Sequence, residues 1–208
     1  MTSAAELQRD HDVTDVPLIV RGAVLLGLIE SLVVLVFSLV NRFLDGPAEI
    51  VLLALILLAG LAAVTLLPGL WTRPLTIEGI AGAAGIGLGA AFVFLLVDVV
   101  LLQYIGTYTN RWWQIGGSNW WYHPIWWMVG TFIPWMGGWI LANQAARTGR
   151  TSAVGAFATA VLFAVVAAVV ANLIGFPGAR WNLASFGIAF LPGLALATAF
   201  SALGTRRA

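Results

Sequence analysis

The sequence predicts an all-α membrane protein, a polytopic bundle of six transmembrane helices. Hydrophobic residues make up 61% of the 208-residue chain and charged residues only 9%, too few to cover a water-exposed surface. A bilayer core is spanned by about 20 apolar residues rising about 1.5 Å each, and six segments are long enough for this. We place them at 17–40, 48–67, 76–104, 124–144, 152–174 and 183–203.

The first 16 residues are expected to form an acidic cytoplasmic tail. Against the single base Arg9 they carry four acids, namely Glu6, Asp10, Asp12 and Asp15. The tail therefore lacks the basic region of a cleavable secretory signal, and the first segment should remain in the membrane as an anchor. The longest connection is a Trp-rich outer loop at 105–123, so residues 1–208 are expected to form a single integral membrane domain.

Near the middle of the first segment lies Glu30, in the run VLLGLIESLVVL. An ionised carboxylate at the centre of a bilayer is costly unless it is paired, hydrated or protonated. Glu30 is therefore a candidate intramembrane proton or cation site, or a buried anchor to a polar group of another helix. The alternative is a protonated carboxyl that is hydrogen-bonded to Ser31 or to a neighbouring helix.

The third segment carries a second intramembrane acid, Asp98, about two turns from its outer end. We expect a structural salt bridge from Asp98 to Arg111 or Arg180, in preference to a catalytic role.

Small residues spaced four apart predict close helix contacts in two segments. They are Ala81, Gly85 and Gly89 in the third segment, and Ser152, Ala156, Ala160, Ala164, Ala168 and Asn172 in the fifth.

Eight of the ten tryptophans fall within residues 112–139. Tryptophan combines an apolar ring system with one N–H donor and concentrates where hydrocarbon meets water. Five of them belong to the outer loop and the membrane boundary, where an interfacial belt explains them: Trp112, Trp113, Trp120, Trp121 and Trp126. The other three continue down the fourth segment, beyond the reach of a belt.

This inner set predicts a binding groove on the fourth segment. Its walls would be Trp127, Trp135 and Trp139, and its floor a strip with almost no side chain that includes Gly130, Pro134 and Gly138. Pro134 removes a backbone hydrogen bond to Gly130 and permits a kink there. The groove could accept a lipid tail, an isoprenoid or a pigment, although the ridge of a neighbouring helix is the simpler occupant.

His123 is the single histidine near the membrane and stands at the start of the fourth segment. Its functional interpretation is a binding role, as an axial ligand to a pigment. An interfacial histidine among aromatic residues is the simpler one. One histidine cannot complete a zinc site or a bis-histidine haem site, and the chain has no cysteine, so no metal site is predicted. No catalytic motif stands out, and a net charge of +1 gives no reason to expect nucleic acid.

The arginines predict an orientation. Six spans place both termini on one side, and seven of the ten arginines belong to that side, namely Arg9, Arg21, Arg73, Arg147, Arg150, Arg206 and Arg207. Because basic residues favour the cytoplasmic side, both termini are expected in the cytoplasm and the chain in the inner (cytoplasmic) membrane.

The other three arginines, Arg42, Arg111 and Arg180, are 69 residues apart, and each precedes an aromatic residue. This spacing allows three helical-hairpin repeats, although ten arginines also offer many chances of one equal spacing.

The functional hypothesis is a non-catalytic integral membrane subunit of a larger complex, which docks partner subunits, lipid or pigment through the Trp-rich outer face. The alternative is a small transporter or solute-binding membrane protein that uses Glu30 and Asp98. An enzyme acting on lipid or isoprenoid substrates is the third interpretation. The expected partners are membrane lipids and other membrane protein subunits.

Overall fold

The computed structural model describes residues 12–203, and in this range the secondary structure is entirely helical. The long helices are α1 (Val16–Phe43), α2 (Pro47–Thr72), α3 (Ile77–Val97), α5 (Pro124–Thr148), α6 (Ala153–Leu173) and α7 (Leu183–Ala202). The π-helical turn Asp98–Leu102 extends α3, and α4 (Asn110–Gln114) is a short helix in the connection between α3 and α5. Six helices are long and apolar enough to cross a membrane, which confirms the predicted six-helix bundle.

The alternating helices give the bundle two ends. The Trp-rich end holds the connections 44–46, 103–123 and 174–182, and the terminal end holds residues 12–15, 73–76, 149–152 and 203. Helix starts are set locally, because the side chains of Asp15, Thr76, Ser152 and Asn182 each accept a hydrogen bond from a backbone N–H in the following turn.

Helices α3 and α5 lie at the centre of the bundle. α3 packs against α1 and α5, and α5 also packs against α2 and α7, while α6 packs mainly against α7. One buried cluster, which includes Leu141, Phe190 and Leu194, joins α5, α6 and α7. A second cluster, of Leu26, Ile86 and Ala90, joins α1 and α3.

Glycines allow these helices to approach closely. A Cβ atom at Gly87 of α3 would lie 2.2 Å from the carbonyl oxygen of Gly130 and 2.4 Å from Cγ of Pro134, both on α5. A Cβ atom at Gly137 of α5 would lie 1.8 Å from the carbonyl oxygen of Thr65 on α2. Close backbone approach through small residues is how helices associate without a hydrophobic driving force between them.

The predicted contact seams are partly correct. In α6, Ala156, Ala160 and Ala164 are buried as expected, and Ala164 packs against Gly193 of α7. In α3 the prediction was wrong for Ala81 and Gly85, which are exposed, because α5 packs on the neighbouring stripe that contains Gly87. Glycine and alanine are so frequent in α3 that composition alone could not indicate which stripe makes the contact.

The three equally spaced arginines all lie at the Trp-rich end, but their side chains make different contacts. Arg42 donates to the carbonyl oxygen of Gly106, whereas Arg111 forms ion pairs with Asp45 and Glu49. Arg180 is exposed, and its backbone N–H donates to Ser185. These differences give no support to a triplication, which stays a prediction.

Candidate functional site

Residues 103–123 fold into a cap over the Trp-rich end of α1, α2 and α3. Backbone contacts hold the start of this cap, because Ser38 and Arg42 of α1 donate hydrogen bonds to the carbonyl oxygens of Thr107 and Gly106. Gly116 also lies close to Ala184 of α7, so the cap contacts this helix as well. The connection is therefore an ordered part of the fold.

One polar network in the cap is centred on Asp98, which is fully buried in the π-helical turn. Its carboxylate accepts hydrogen bonds from the Tyr108 hydroxyl and, at 2.5 Å, from the amide of Gln103. The Tyr108 hydroxyl in turn accepts from the indole N–H of Trp121 at 2.8 Å. Burial, and then the neighbouring carboxylate of Asp98, raise the pKa of Tyr108 far above its ordinary value, so it acts as a neutral donor.

A second network is centred on Arg111. Its guanidinium lies 2.7 Å from Asp45 and 2.8 Å from Glu49, and it also donates to the carbonyl oxygen of Leu44. Glu49 is buried at the start of α2 and accepts a further hydrogen bond from Asn41 at 3.0 Å. The expected salt bridge from Asp98 to Arg111 or Arg180 is therefore not formed, because Arg111 is occupied by two other acids and Asp98 by neutral donors.

Aromatic rings fill the space between the two networks. Trp112 is buried, its ring meets Phe37 and Tyr108 edge-on, and its N–H donates to Ser118 at 3.2 Å. Trp121 packs against Phe94 and Trp126. Trp112 is therefore part of the interior of the cap and does not face the membrane boundary as a belt residue would. Trp121 is half-buried, and its place in a belt stays a prediction.

Other aromatic residues of the cap point away from the bundle. Trp113, Trp120 and Tyr122 are exposed, and we call these three the aromatic platform. Trp113 follows the buried Trp112 in the sequence, and Trp120 and Tyr122 flank the half-buried Trp121, so the same short segments supply both the interior and the surface of the cap. His123 is exposed beside the platform, where its ring caps α5 through a long hydrogen bond of 3.5 Å from the N–H of Ile125.

The predicted groove residues on α5 fall into two groups. Gly130, Pro134 and Gly138 face α3, where Gly87, Ala91 and Ala83 cover them, so this strip is a helix contact and does not form the floor of an open groove. Trp127 and Trp135 do line an open apolar groove of about 420 Å³, together with Leu88, Met128, Thr131 and Phe132. Trp139 is half-buried and lies outside that lining, as does His123. That these residues bind a ligand stays a prediction.

Glu30 is half-buried at the middle of α1. One turn before it, Gly27 contacts Ala90 and Val93 of α3, and one turn after it, Val33 contacts Gly60 of α2. The carboxyl group therefore lies at the junction of three helices. Ser31 does not bond to it, because its hydroxyl donates to the carbonyl oxygen of Gly27. Among residues 12–203, Glu30 forms neither a hydrogen bond nor an ion pair.

Within the described part of the chain, no three histidine or acidic side chains come together as a metal site would require. The fold defines the class of the protein: it is an all-α, multi-pass integral membrane protein. Compared with known proteins, the chain matches no family model, no curated protein and no solved structure at a significant level.

Proposed function

We propose that this protein is a non-catalytic membrane subunit that docks a partner protein through the aromatic platform of its cap. The observation that carries the proposal is that the cap is fixed from below while its aromatic surface is open. Hydrogen bonds and ion pairs of Asp98, Tyr108 and Arg111 hold the cap in place. The aromatic platform, Trp113, Trp120 and Tyr122, remains exposed.

Such a surface has the features of a protein interface. Exposed tryptophan and tyrosine are enriched at binding hot spots, because they bring a large contact area and one polar atom with few rotatable bonds. A preformed cap also avoids the entropy that a mobile loop would lose on docking. Tryptophans that only form an interfacial belt do not need a loop that is fixed by buried hydrogen bonds, whereas the platform residues belong to such a loop.

The test is recovery of the chain from its own membranes in a mild detergent, followed by native mass spectrometry. We expect a stoichiometric partner chain to accompany the wild-type protein and to be lost when Trp113, Trp120 and Tyr122 are replaced by serine. The matched control is Trp181→Ser, which removes a still more exposed tryptophan at the same end but outside the platform. A lone wild-type monomer, or equal loss of the partner in the control, would contradict the proposal.

The proposed orientation puts the platform on the outer side of the inner (cytoplasmic) membrane. Among the described residues, the terminal end carries Arg21, Arg73, Arg147 and Arg150, and two of the three arginines at the Trp-rich end are engaged within the cap. The chain has no cysteine, so single-cysteine variants report topology directly. In intact cells a membrane-impermeant maleimide should label Asn110→Cys but not Thr151→Cys, and the reverse pattern would invert the orientation.

A second candidate function, a small transporter, is favoured by one observation, the position of Glu30. A carboxyl group at the junction of α1, α2 and α3 without a partner among the described residues is the arrangement a proton-coupled carrier needs. Asp98 is less suitable as its companion, because both of its oxygens accept hydrogen bonds within the cap.

Proteoliposomes loaded with a pH-sensitive dye test this candidate. A carrier should collapse an imposed pH gradient faster than empty liposomes, and Glu30→Gln should abolish the difference. Glu78→Gln, which alters an exposed acid at the terminal end, is the control and should leave the flux unchanged. Equal rates with and without the wild-type protein would remove the candidate.

A further inference from the structure

The lipid-facing surface of α5 carries two exposed indoles that differ in their surroundings. Trp127 and Trp135 are 39% and 41% exposed and lie two turns apart on one side of the helix. Their indole N–H groups donate to no atom within residues 12–203. In contrast, the indoles of Trp112 and Trp121 in the cap each donate a hydrogen bond.

Depth in the membrane distinguishes the two free donors. With a rise of about 1.5 Å per residue, Trp127 lies about 5 Å from the start of α5, within reach of lipid ester groups and water. Trp135 lies about 17 Å from the start and about 20 Å from the end of the same helix, close to the middle of the bilayer. Acyl chains offer no hydrogen-bond acceptor at that depth, so an unpaired N–H there is unfavourable.

The surface around Trp135 is concave. Leu88 of α3 and Trp127, Met128, Thr131, Phe132 and Trp135 of α5 line a shallow groove of about 420 Å³ that is open to the lipid side. The hydroxyl of Thr131 donates to the carbonyl oxygen of Trp127 at 2.8 Å, which leaves Trp135 as the donor at the deep end of the groove. The lining is therefore apolar, and of its two unpaired indole donors only that of Trp135 lies near the middle of the bilayer.

The length of the groove indicates a small molecule in preference to a partner helix. Its indoles are eight residues apart, about 12 Å along α5, whereas a packed transmembrane helix makes contact over most of a core about 30 Å thick. Five of the six lining residues belong to α5, so the groove is a shallow depression beside a single helix.

We propose that this groove binds a lipid-soluble molecule of the isoprenoid-quinone type, whose ring carbonyl accepts a hydrogen bond from the indole N–H of Trp135. Its ring lies against the indole of Trp135 and the side chains of Met128 and Phe132, and its hydrocarbon tail extends into the surrounding acyl chains. The site is separate from the aromatic platform and does not depend on the docking function.

Quenching of tryptophan fluorescence by decylubiquinone tests the proposal, with the full chain in phosphatidylcholine nanodiscs. The wild-type protein should show saturable quenching. Trp135→Phe keeps an aromatic ring but removes the donor, and should raise the Kd about three- to tenfold, the effect of one neutral hydrogen bond. Trp181→Phe removes an exposed indole that is not part of the groove lining and should leave the Kd unchanged.

A second measurement protects the test against a misfolded variant. Infrared difference spectra should show the quinone carbonyl band at lower frequency in the wild type and at its lipid position in Trp135→Phe, with equal thermal stability of both proteins. Linear quenching that is identical in all three proteins would mean collision in the bilayer only, and would overturn the proposal. So would saturable binding that Trp135→Phe does not weaken, or a partner helix found over Trp135 in the purified protein.

Discussion

Arg111 in the cap lies 2.8 Å from Glu49 at the start of α2, measured from Nη2 to Oε2, and this ion pair joins two segments 62 residues apart. Glu49 is buried, whereas the arginine is partly exposed and also contacts Asp45, whose side chain is in solvent. The pair with Glu49 therefore contributes more to holding the cap than the pair with Asp45, because water screens the exposed pair.

We expect Arg111→Ala to loosen the cap, because it leaves the buried carboxylate of Glu49 with Asn41 as its remaining partner. The cost should be about 1–3 kcal/mol, below the value for a fully buried pair because Arg111 is partly exposed. Hydrogen exchange of the amides in residues 107–121 is the measurement, and it should accelerate there. Arg180→Ala, which removes an exposed arginine at the same end, should leave this exchange unchanged, and equal acceleration in both variants would contradict the assignment.

Tyr108→Phe should separate Trp121 from Asp98. The variant removes one hydroxyl that donates to Asp98 and accepts from Trp121, so two hydrogen bonds are lost at an expected cost of about 1–3 kcal/mol. Thermal unfolding in detergent measures the loss. Tyr122→Phe, which alters an exposed tyrosine in the same cap, is the matched control and should unfold at the wild-type temperature.

The same tyrosine predicts a dependence on alkaline pH. Its pKa is raised in the folded protein, above the ordinary value of 10.0, so the folded state holds the phenol proton more tightly than the unfolded state does. Its contribution to stability is therefore complete below about pH 10 and declines as the pH rises above it. Unfolding temperatures measured from pH 8 upward should fall more steeply for the wild type than for Tyr108→Phe, and parallel curves would refute the role of Tyr108.

The spans could be predicted from the sequence because length and hydropathy alone determine them, and the six segments agree with the helices except at their ends. The ion pairs at the Trp-rich end could not be predicted. Three acids, Asp45, Glu49 and Asp98, stand near that end in the sequence, and the partners of Arg111 depend on how the cap folds. Asp98 does not join the ion pair, and its two oxygens instead accept hydrogen bonds from neutral donors within ten residues, Gln103 and Tyr108.

The candidate site was also only partly predictable. Trp127 and Trp135 line an open groove as the pattern on α5 indicated, but the glycine strip beside them is covered by α3. Helical spacing shows which residues share a side of a helix, and it does not show which side a neighbouring helix takes. Which loop tryptophans are buried and which are exposed could not be predicted either, because a short irregular loop has no periodic pattern that indicates burial.

Asp12 anchors the start of the described chain to α3 and should matter for stability at the terminal end. Its carboxylate accepts hydrogen bonds from the backbone N–H groups of Leu75, Thr76 and Gly79 and from the Thr76 hydroxyl. Partial burial alone would raise the pKa of Asp12, but these hydrogen bonds outweigh it and lower the pKa below 3.8. Its contribution is therefore present above about pH 3.8 and is lost as the pH falls through the lowered pKa.

Asp12→Asn should reduce the free energy of unfolding at neutral pH by about 1–2 kcal/mol, because charge-assisted hydrogen bonds are replaced by weaker ones. It should also flatten the loss of stability in acid. Glu78→Gln, an exposed acid in the first turn of α3, is the control. Acid unfolding curves of Asp12→Asn and wild type that coincide would show that the anchor contributes nothing.

Gly87→Ala should be among the most damaging small substitutions in the bundle. The added methyl group would lie 2.2 Å from the carbonyl oxygen of Gly130, and backbone cannot rotate away as a flexible side chain can. Helices α3 and α5 would have to separate, at a cost of about 1–3 kcal/mol or more. Gly187→Ala is the matched control, because a Cβ atom there meets nothing within 4 Å and alanine favours the helix. Thermal unfolding in detergent should show a large loss for Gly87→Ala and none for Gly187→Ala, and similar temperatures for the two variants would mean that α3 and α5 are not in this close contact.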